Sequence, residues 1–219
     1  MNERLWQILQ DSFTTILIPG LLVTIPLTLL SFTLGLLLAI LVALVQIASF
    51  PVLKQLARFY IWIIRGTPLL VQLFVIFYGL PSLGIVLDAF PSAILVFSIN
   101  TGAYAAETIR ASIEAVPKGQ LEAGYCVGMT FSQIMRRIVL PQAFRIAFPP
   151  LSNTLIGLVK DTSLAANITV LEMFMVTQQI AARTYEPFAL YCEVALIYLL
   201  FSTVLTKLQA WGEKKLKVY

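Results

Sequence analysis

"EAGYCVGMTFSQIMRRIVLPQA", residues 122–143, is a polar, punctuated stretch in a chain that is otherwise mostly apolar. It opens on Glu122, is divided by Gly128, and carries Arg136 and Arg137 side by side. Pro117 suits the first position of a helix, where its missing N–H costs nothing. Leu121 and Tyr125 then fall on one face, and Gly128 is placed to stop the helix in the left-handed conformation. Thr130 and Gln133 have the T-x-x-Q spacing of a capping box that opens a second short helix. That helix is expected to run through Arg136 and Arg137 to Leu140, with Pro141 beginning the next apolar segment. The expectation over 117–140 is helix, glycine turn, helix: a compact knob.

The surroundings place this knob at a membrane. The 219 residues are 59% hydrophobic and 12% charged, about half the charged fraction of a soluble domain. Apolar runs long enough to cross a bilayer, roughly 20 residues as helix, fall near 14–46, 57–80, 91–113, 141–164 and 187–209. The fold class is therefore all-α integral membrane protein, one domain over 1–219 with about five transmembrane helices. Lys54 and Arg58 follow the first run, Lys118, Arg136 and Arg137 the third, and Lys207, Lys214, Lys215 and Lys217 close the chain. Basic residues are retained in the cytoplasm, so the N-terminus is expected outside and the C-terminus inside. The net charge of +4 is then membrane anchoring, and no nucleic-acid partner is expected.

Within 1–13, Leu5, Ile8, Leu9 and Phe13 begin an apolar line at helical spacing that Ile16 continues, predicting a short helix on the outer membrane surface. Pro26 is expected to kink or reorient span one. Ser31, Gly35, Ala39 and Ala43 form one small-residue stripe and Ser98, Gly102 and Ala106 another; such stripes let helices approach closely. They suit packing within the chain more than a dimer seam. Histidine is absent and Cys126 and Cys192 share no short spacing, so no metal site or disulfide framework is expected. No G-x-x-x-x-G-K-[ST] phosphate cradle occurs. No catalytic cluster is visible either, and an enzyme is not expected.

The register Glu122, Ala123, Gly124, Gly128, Ile138, Leu140, Pro141 resembles the "EAA" loop of ABC-importer permeases, written E-A-A-x-x-x-G-x9-I-x-L-P. Gly124 departs from the usual second alanine and is expected to loosen the helix by up to ~1 kcal/mol. "RGTPLLVQLF" (65–74), "AYAAETIRASI" (103–113) and "LVKDTSLAA" (158–166) resemble the polar amino-acid branch, and within it the L-cystine permeases. The resemblance covers nearly the whole chain. It implies that Glu122, Ala123, Gly124, Gly128, Arg136, Arg137, Ile138, Leu140 and Pro141 dock a separate ATPase pair, which carries ATP and Mg. It also implies a second permease copy, most simply a homodimer, an outer solute-binding protein, and the cytoplasmic membrane of a bacterium. L-cystine is the expected cargo, with arginine, glutamine or glutamate left open.

Polar residues inside a membrane are expensive and default to functional candidates. In span three these are Asn100, Thr101 and Glu107, the last three residues from Arg110 and suited to an intrahelical pair. In span four, Pro149 and Pro150 are expected to interrupt the helix ahead of Asn153, Lys160, Asp161, Thr162 and Ser163. A zwitterion needs one anion and one donor, which Lys160 and Asp161 supply if they face the same space; otherwise they pair with each other or stabilise the helix. "RGTP" (65–68) is expected to shape the bend entering span two. Thr169 and Glu172 suggest a T-x-x-E cap on a short helix in the outer loop 167–186, which could meet the binding protein. An ATP-independent channel or ion-coupled transporter is the main rival, and it leaves the knob unexplained.

Overall fold

In the computed structural model, residues 3–47 and 50–216 are described, and every regular element among them is a helix. Met1 and Asn2 of the outer segment and Lys217 of the basic tail lie outside the described residues. Among the described residues three helices are long and apolar enough to cross a membrane, or five spans if each of two bent helix pairs is counted as one.

Helix α1 (Glu3–Ile47) runs unbroken for 45 residues, about 67 Å at helical rise against a hydrocarbon core of roughly 30 Å. The separate surface helix expected for 1–13 is therefore corrected: from Glu3 onward the segment continues into span one. Packing explains the continuity. Ser12, Ile16 and Gly20 are buried, and the Ser12 hydroxyl donates to Glu193 Oε2 at 2.5 Å. A Cβ on Gly20 would lie 2.5 Å from Met173 Sδ.

Pro26 acts through a π turn, Gly20–Thr24, in which the Ile25 N–H reaches back to the Gly20 carbonyl. A proline ring collides with the carbonyl four residues earlier, and widening the turn by one residue relieves it. The same arrangement precedes Pro81, after Val75–Gly79, and Pro141, after Met135–Val139.

Helices α2 (Pro51–Gly66) and α3 (Leu69–Leu83) meet at 105°. The expected single helix over 57–80 is thus corrected: "RGTP" breaks span two midway, not at its entry. Thr67 is extended, with φ −120° and ψ 145°, as a residue before proline prefers. Gln72 stitches the break, its Nε2 donating to the Ile64 carbonyl at 2.8 Å and the Thr67 hydroxyl at 2.9 Å.

Helix α4 (Ala89–Glu114) matches the third span. Its stripe Ser98, Gly102, Ala106 and the α1 stripe Ser31, Gly35, Ala39, Ala43 are buried. A Cβ on Gly35 would stand 2.9 Å from the Ser98 carbonyl. The stripes serve packing within the chain, where α1 and α4 approach too closely for larger side chains.

After α5 (Lys118–Cys126) comes α6 (Phe131–Ile168), which differs from expectation twice. The second helix of the knob does not stop at Leu140 but continues through the π turn into span four. Pro149 and Pro150 do not interrupt it; both lie inside the helix Leu140–Asp161. Each proline withholds only a single N–H from the helix, a loss that membrane helices tolerate, and the Thr154 hydroxyl donates to the Pro150 carbonyl at 3.0 Å.

A 54° bend leads to α7 (Met173–Thr184). The expected Thr169–Glu172 box is corrected as well. Thr169, at φ 66°, ends a 3₁₀ turn. Glu172 is itself the cap, its buried carboxylate accepting from Met175 N–H at 2.8 Å and from the Tyr198 hydroxyl at 2.7 Å. Helix α8 (Pro187–Leu216) completes the bundle. One end gathers the start of α1, α7 and the start of α8, where Arg4 donates to the Thr184 carbonyl at 3.2 Å. The other end carries the knob.

Candidate functional site

The knob is built from local rules. Helix α5 ends in a Schellman turn: Met129 N–H donates to the Gly124 carbonyl at 3.0 Å and Gly128 N–H to the Tyr125 carbonyl at 2.9 Å. Gly128 takes φ +78° with nothing within 4 Å of the Cβ it lacks, so it is needed for conformation rather than for room. The Thr130–Gln133 box is complete, with bonds of 2.8 and 3.4 Å. Pro117 caps α5 from one position earlier than expected. Beneath lie Val116, Ile134, Val139 and Ala143, with Leu121 and Ile138 at the margin.

Gly124 is a close-approach site. It is buried, and a Cβ there would meet Ile134 Cγ1 at 2.7 Å. The departure from alanine thus seats Ile134 rather than merely loosening the helix. Glu122, Ala123, Gly128, Arg136, Arg137 and Leu140 are exposed. Tyr125, Val127 and Phe131 stand beside them, 53, 76 and 55% exposed, so charged and aromatic groups share one projecting surface. Ile138 is half-buried, and Pro141 follows Leu140 at the root of span four.

A cleft of about 580 Å³ gathers the polar groups Arg65, Thr67, Asn100, Thr101, Tyr104 and Asp161, among other residues. Next to it a second cleft, about 550 Å³, holds Glu107, Thr108, Asn153 and Pro150. Arg65, Tyr104 and Thr154 border both. The structure thus brings Asn100, Thr101 and Asp161 together and puts Glu107 and Asn153 next door.

It does not bring Lys160 to Asp161. Lys160 and Ser163 line a different groove, with Phe174, Tyr191 and Tyr198, because consecutive helical residues point about 100° apart. No ion pair joins Lys160 to Asp161 among the described residues. Thr162 is buried, its hydroxyl donating to the Val159 carbonyl at 2.7 Å. Glu107 pairs with Arg110, which also binds Glu114 at 2.5 Å; the intrahelical pair expected there is present and extends to a triad. Asn100 Nδ2 donates to Gln72 Oε1 at 3.1 Å, tying span three to the repaired break.

Sequence patterns do not mark Arg65, Gln72, Tyr104 or Thr154 as pathway residues. Arg65 and Gln72 both lie in the quoted "RGTPLLVQLF", but only the 105° break shows where they point. No group of acids, cysteines or histidines able to hold a metal occurs among the described residues, and Cys126 and Cys192 are exposed free thiols.

A bundle of membrane-length helices with a cleft that gathers polar groups and a structured knob at one end has the layout of a transport subunit. Residues 32–218 match the family described as "Binding-protein-dependent transport system inner membrane component", and the chain belongs to that family. It is 50% identical over 215 residues to the L-cystine transport system permease protein TcyB of Bacillus subtilis (strain 168), covering 98% of this chain and 92% of the relative. It is 43% identical to the probable amino-acid ABC transporter permease protein PatM of Vibrio harveyi, with 83% of each covered. A solved structure, "Crystal structure of an amino acid ABC transporter with histidines", superposes with a TM-score of 0.89 at 36% identity, covering 94% of this chain and 96% of that one. The chain is therefore a permease subunit of an amino-acid ABC importer. It transports rather than catalyses, and ATP hydrolysis belongs to a separate subunit.

Proposed function

We propose that this permease imports L-cystine in the cytoplasmic membrane of a bacterium, by alternating access driven by a separate ATPase pair. The observation that carries the cargo is the 50% identity to an L-cystine permease along nearly the whole chain. ATP and Mg act on the ATPase, and a solute-binding protein delivers substrate at the outer end. The distribution of Lys and Arg supports an outer N-terminus and an inner knob.

The knob surface of Glu122, Ala123, Gly128, Arg136, Arg137 and Leu140 is the part that seats in the ATPase, with Gly124 and Ile138 packing it from within. Pro141 and its π turn join it rigidly to span four. Motion at the ATPase thereby reaches Asn153 and Asp161 along one helix.

Substrate follows the two clefts. Asp161 is the ammonium partner, Asn100 and Thr101 line the same wall, and Glu107 and Asn153 lie toward the inner end. Lys160, Thr162 and Ser163 act from the far side of that helix, as its scaffold. Arg65, Asn100 and Asp161 line an open cleft, and lipid cannot satisfy them. A second copy of the chain covering this cleft would do so, and it supplies the second knob that a pair of ATPase subunits needs.

The experiment is ATP hydrolysis by the reconstituted permease, ATPase and binding protein across a panel of amino acids. Stimulation by L-cystine supports the full reading. Stimulation by arginine, glutamine or glutamate instead keeps the mechanism and corrects the cargo. No stimulation of an assembled complex overturns the proposal.

A further inference from the structure

Arg65 is a cation in a place where a cation is costly. It is the residue before Gly66 at the end of α2, directly ahead of the 105° break. Its guanidinium carbon lies 5.1 Å from the centre of the Tyr104 ring. Neither Asp161 nor Glu107 forms an ion pair with it; Glu107 is occupied by Arg110. Its backbone setting is fixed, because Gln72 holds the Ile64 carbonyl on one side and the Thr67 hydroxyl on the other.

A guanidinium over an aromatic face still has an edge of N–H donors, and that fork matches a carboxylate in two parallel hydrogen bonds. Asp161 lines the same cleft as Arg65, together with Thr154 and Gly157 of its own helix. We infer that Arg65, held over Tyr104, reads the α-carboxylate of the transported amino acid while Asp161 takes its ammonium group. Arg65 and Tyr104 border both clefts, so the carboxylate is held where one chamber gives way to the other. Selectivity at this point is for the amino-acid end of the substrate, whatever its side chain. The inference rests on the proposed amino-acid pathway through these clefts.

The test uses the solubilised permease–ATPase complex without the binding protein, so that only the permease selects. Binding of radiolabelled L-cystine and L-arginine is measured, with competition by cystamine and agmatine, the corresponding amines that lack the carboxylate. In the wild type each amino acid is expected to outcompete its amine by at least about tenfold, the scale of a charge-assisted bidentate pair. Arg65→Ala abolishes that ratio, Arg65→Lys reduces it because one ammonium cannot supply the fork, and Tyr104→Phe keeps it because the ring face remains. Assembly with the ATPase, checked by size exclusion, separates loss of selectivity from loss of fold. An unchanged ratio in assembled Arg65→Ala or Arg65→Lys overturns the inference alone. Absence of binding of either amino acid to the wild type overturns the proposed pathway and the inference with it.

Discussion

The knob and the cleft are specified in different ways. In the knob, hydrogen bonds span three to five residues: Met129 to Gly124, Gly128 to Tyr125, and the reciprocal pair Thr130 and Gln133. In the cleft, Arg65, Tyr104 and Asp161 come from three helices, and the bond that sets one wall joins Asn100 to Gln72. The knob is a local structure that presents itself to a partner. The cleft is a tertiary product, dependent on how α2, α4 and α6 are bent and packed.

The largest expected difference is functional. Gly128→Asp places a charged L-residue where φ is +78° and the surface is exposed. It is expected to leave membrane insertion intact while cutting ATP-driven uptake at least about tenfold, as measured in proteoliposomes; aspartate tolerates the left-handed region better than most residues. Uptake like the wild type would mean that this surface does not couple.

Asp161→Asn should do the reverse, weakening substrate binding by about tenfold, since loss of one charged partner costs on the order of 1.5–3 kcal/mol. Co-purification with the ATPase should be unaffected. A variant that binds substrate normally would reduce Asp161 to a structural role.

A smaller effect tests the tertiary character of the cleft. Gln72→Ala removes the bonds to Ile64, Thr67 and Asn100 and should destabilise the complex by about 1–3 kcal/mol, seen as a lowered midpoint of thermal unfolding. The knob should be untouched, so a probe on Cys126 should report no change.

The smallest effect falls within the knob. Gly124→Ala gains up to ~1 kcal/mol of helix propensity but sets a methyl 2.7 Å from Ile134 Cγ1. The two terms oppose, and the net change in stability should be under about 1 kcal/mol and unfavourable. A double-mutant cycle with Ile134→Ala, which removes both Cγ1 and Cδ1, reads the contact directly: Gly124→Ala should cost less in that background than in the wild type, and an equal cost would show that Gly124 is not a contact of Ile134.

The same division explains what could be read from sequence. The apolar runs, the Gly128 stop, the Thr130–Gln133 box and the small-residue stripes all rest on spacing within a few residues, and each is found. Proline misled in both directions. Pro149 and Pro150 sit in a continuous helix, while Pro68 breaks span two in its middle, where Thr67 ahead of it is extended and Gln72 bonds the Ile64 carbonyl beside the break; the residue type alone does not decide between the two. Adjacent numbers misled as well: Lys160 and Asp161 suggested one site, and helical rotation sends them to separate grooves. Arg65 was visible within "RGTP", but its meeting with Tyr104 follows only from the fold.

The most direct test measures ATP hydrolysis and L-cystine uptake together in one set of proteoliposomes containing the wild type or Gly128→Asp, with labelled-cystine binding to the same complexes. Coupling through the knob predicts that Gly128→Asp binds cystine as the wild type does yet loses both stimulated hydrolysis and uptake. Wild-type hydrolysis and uptake by Gly128→Asp would contradict it.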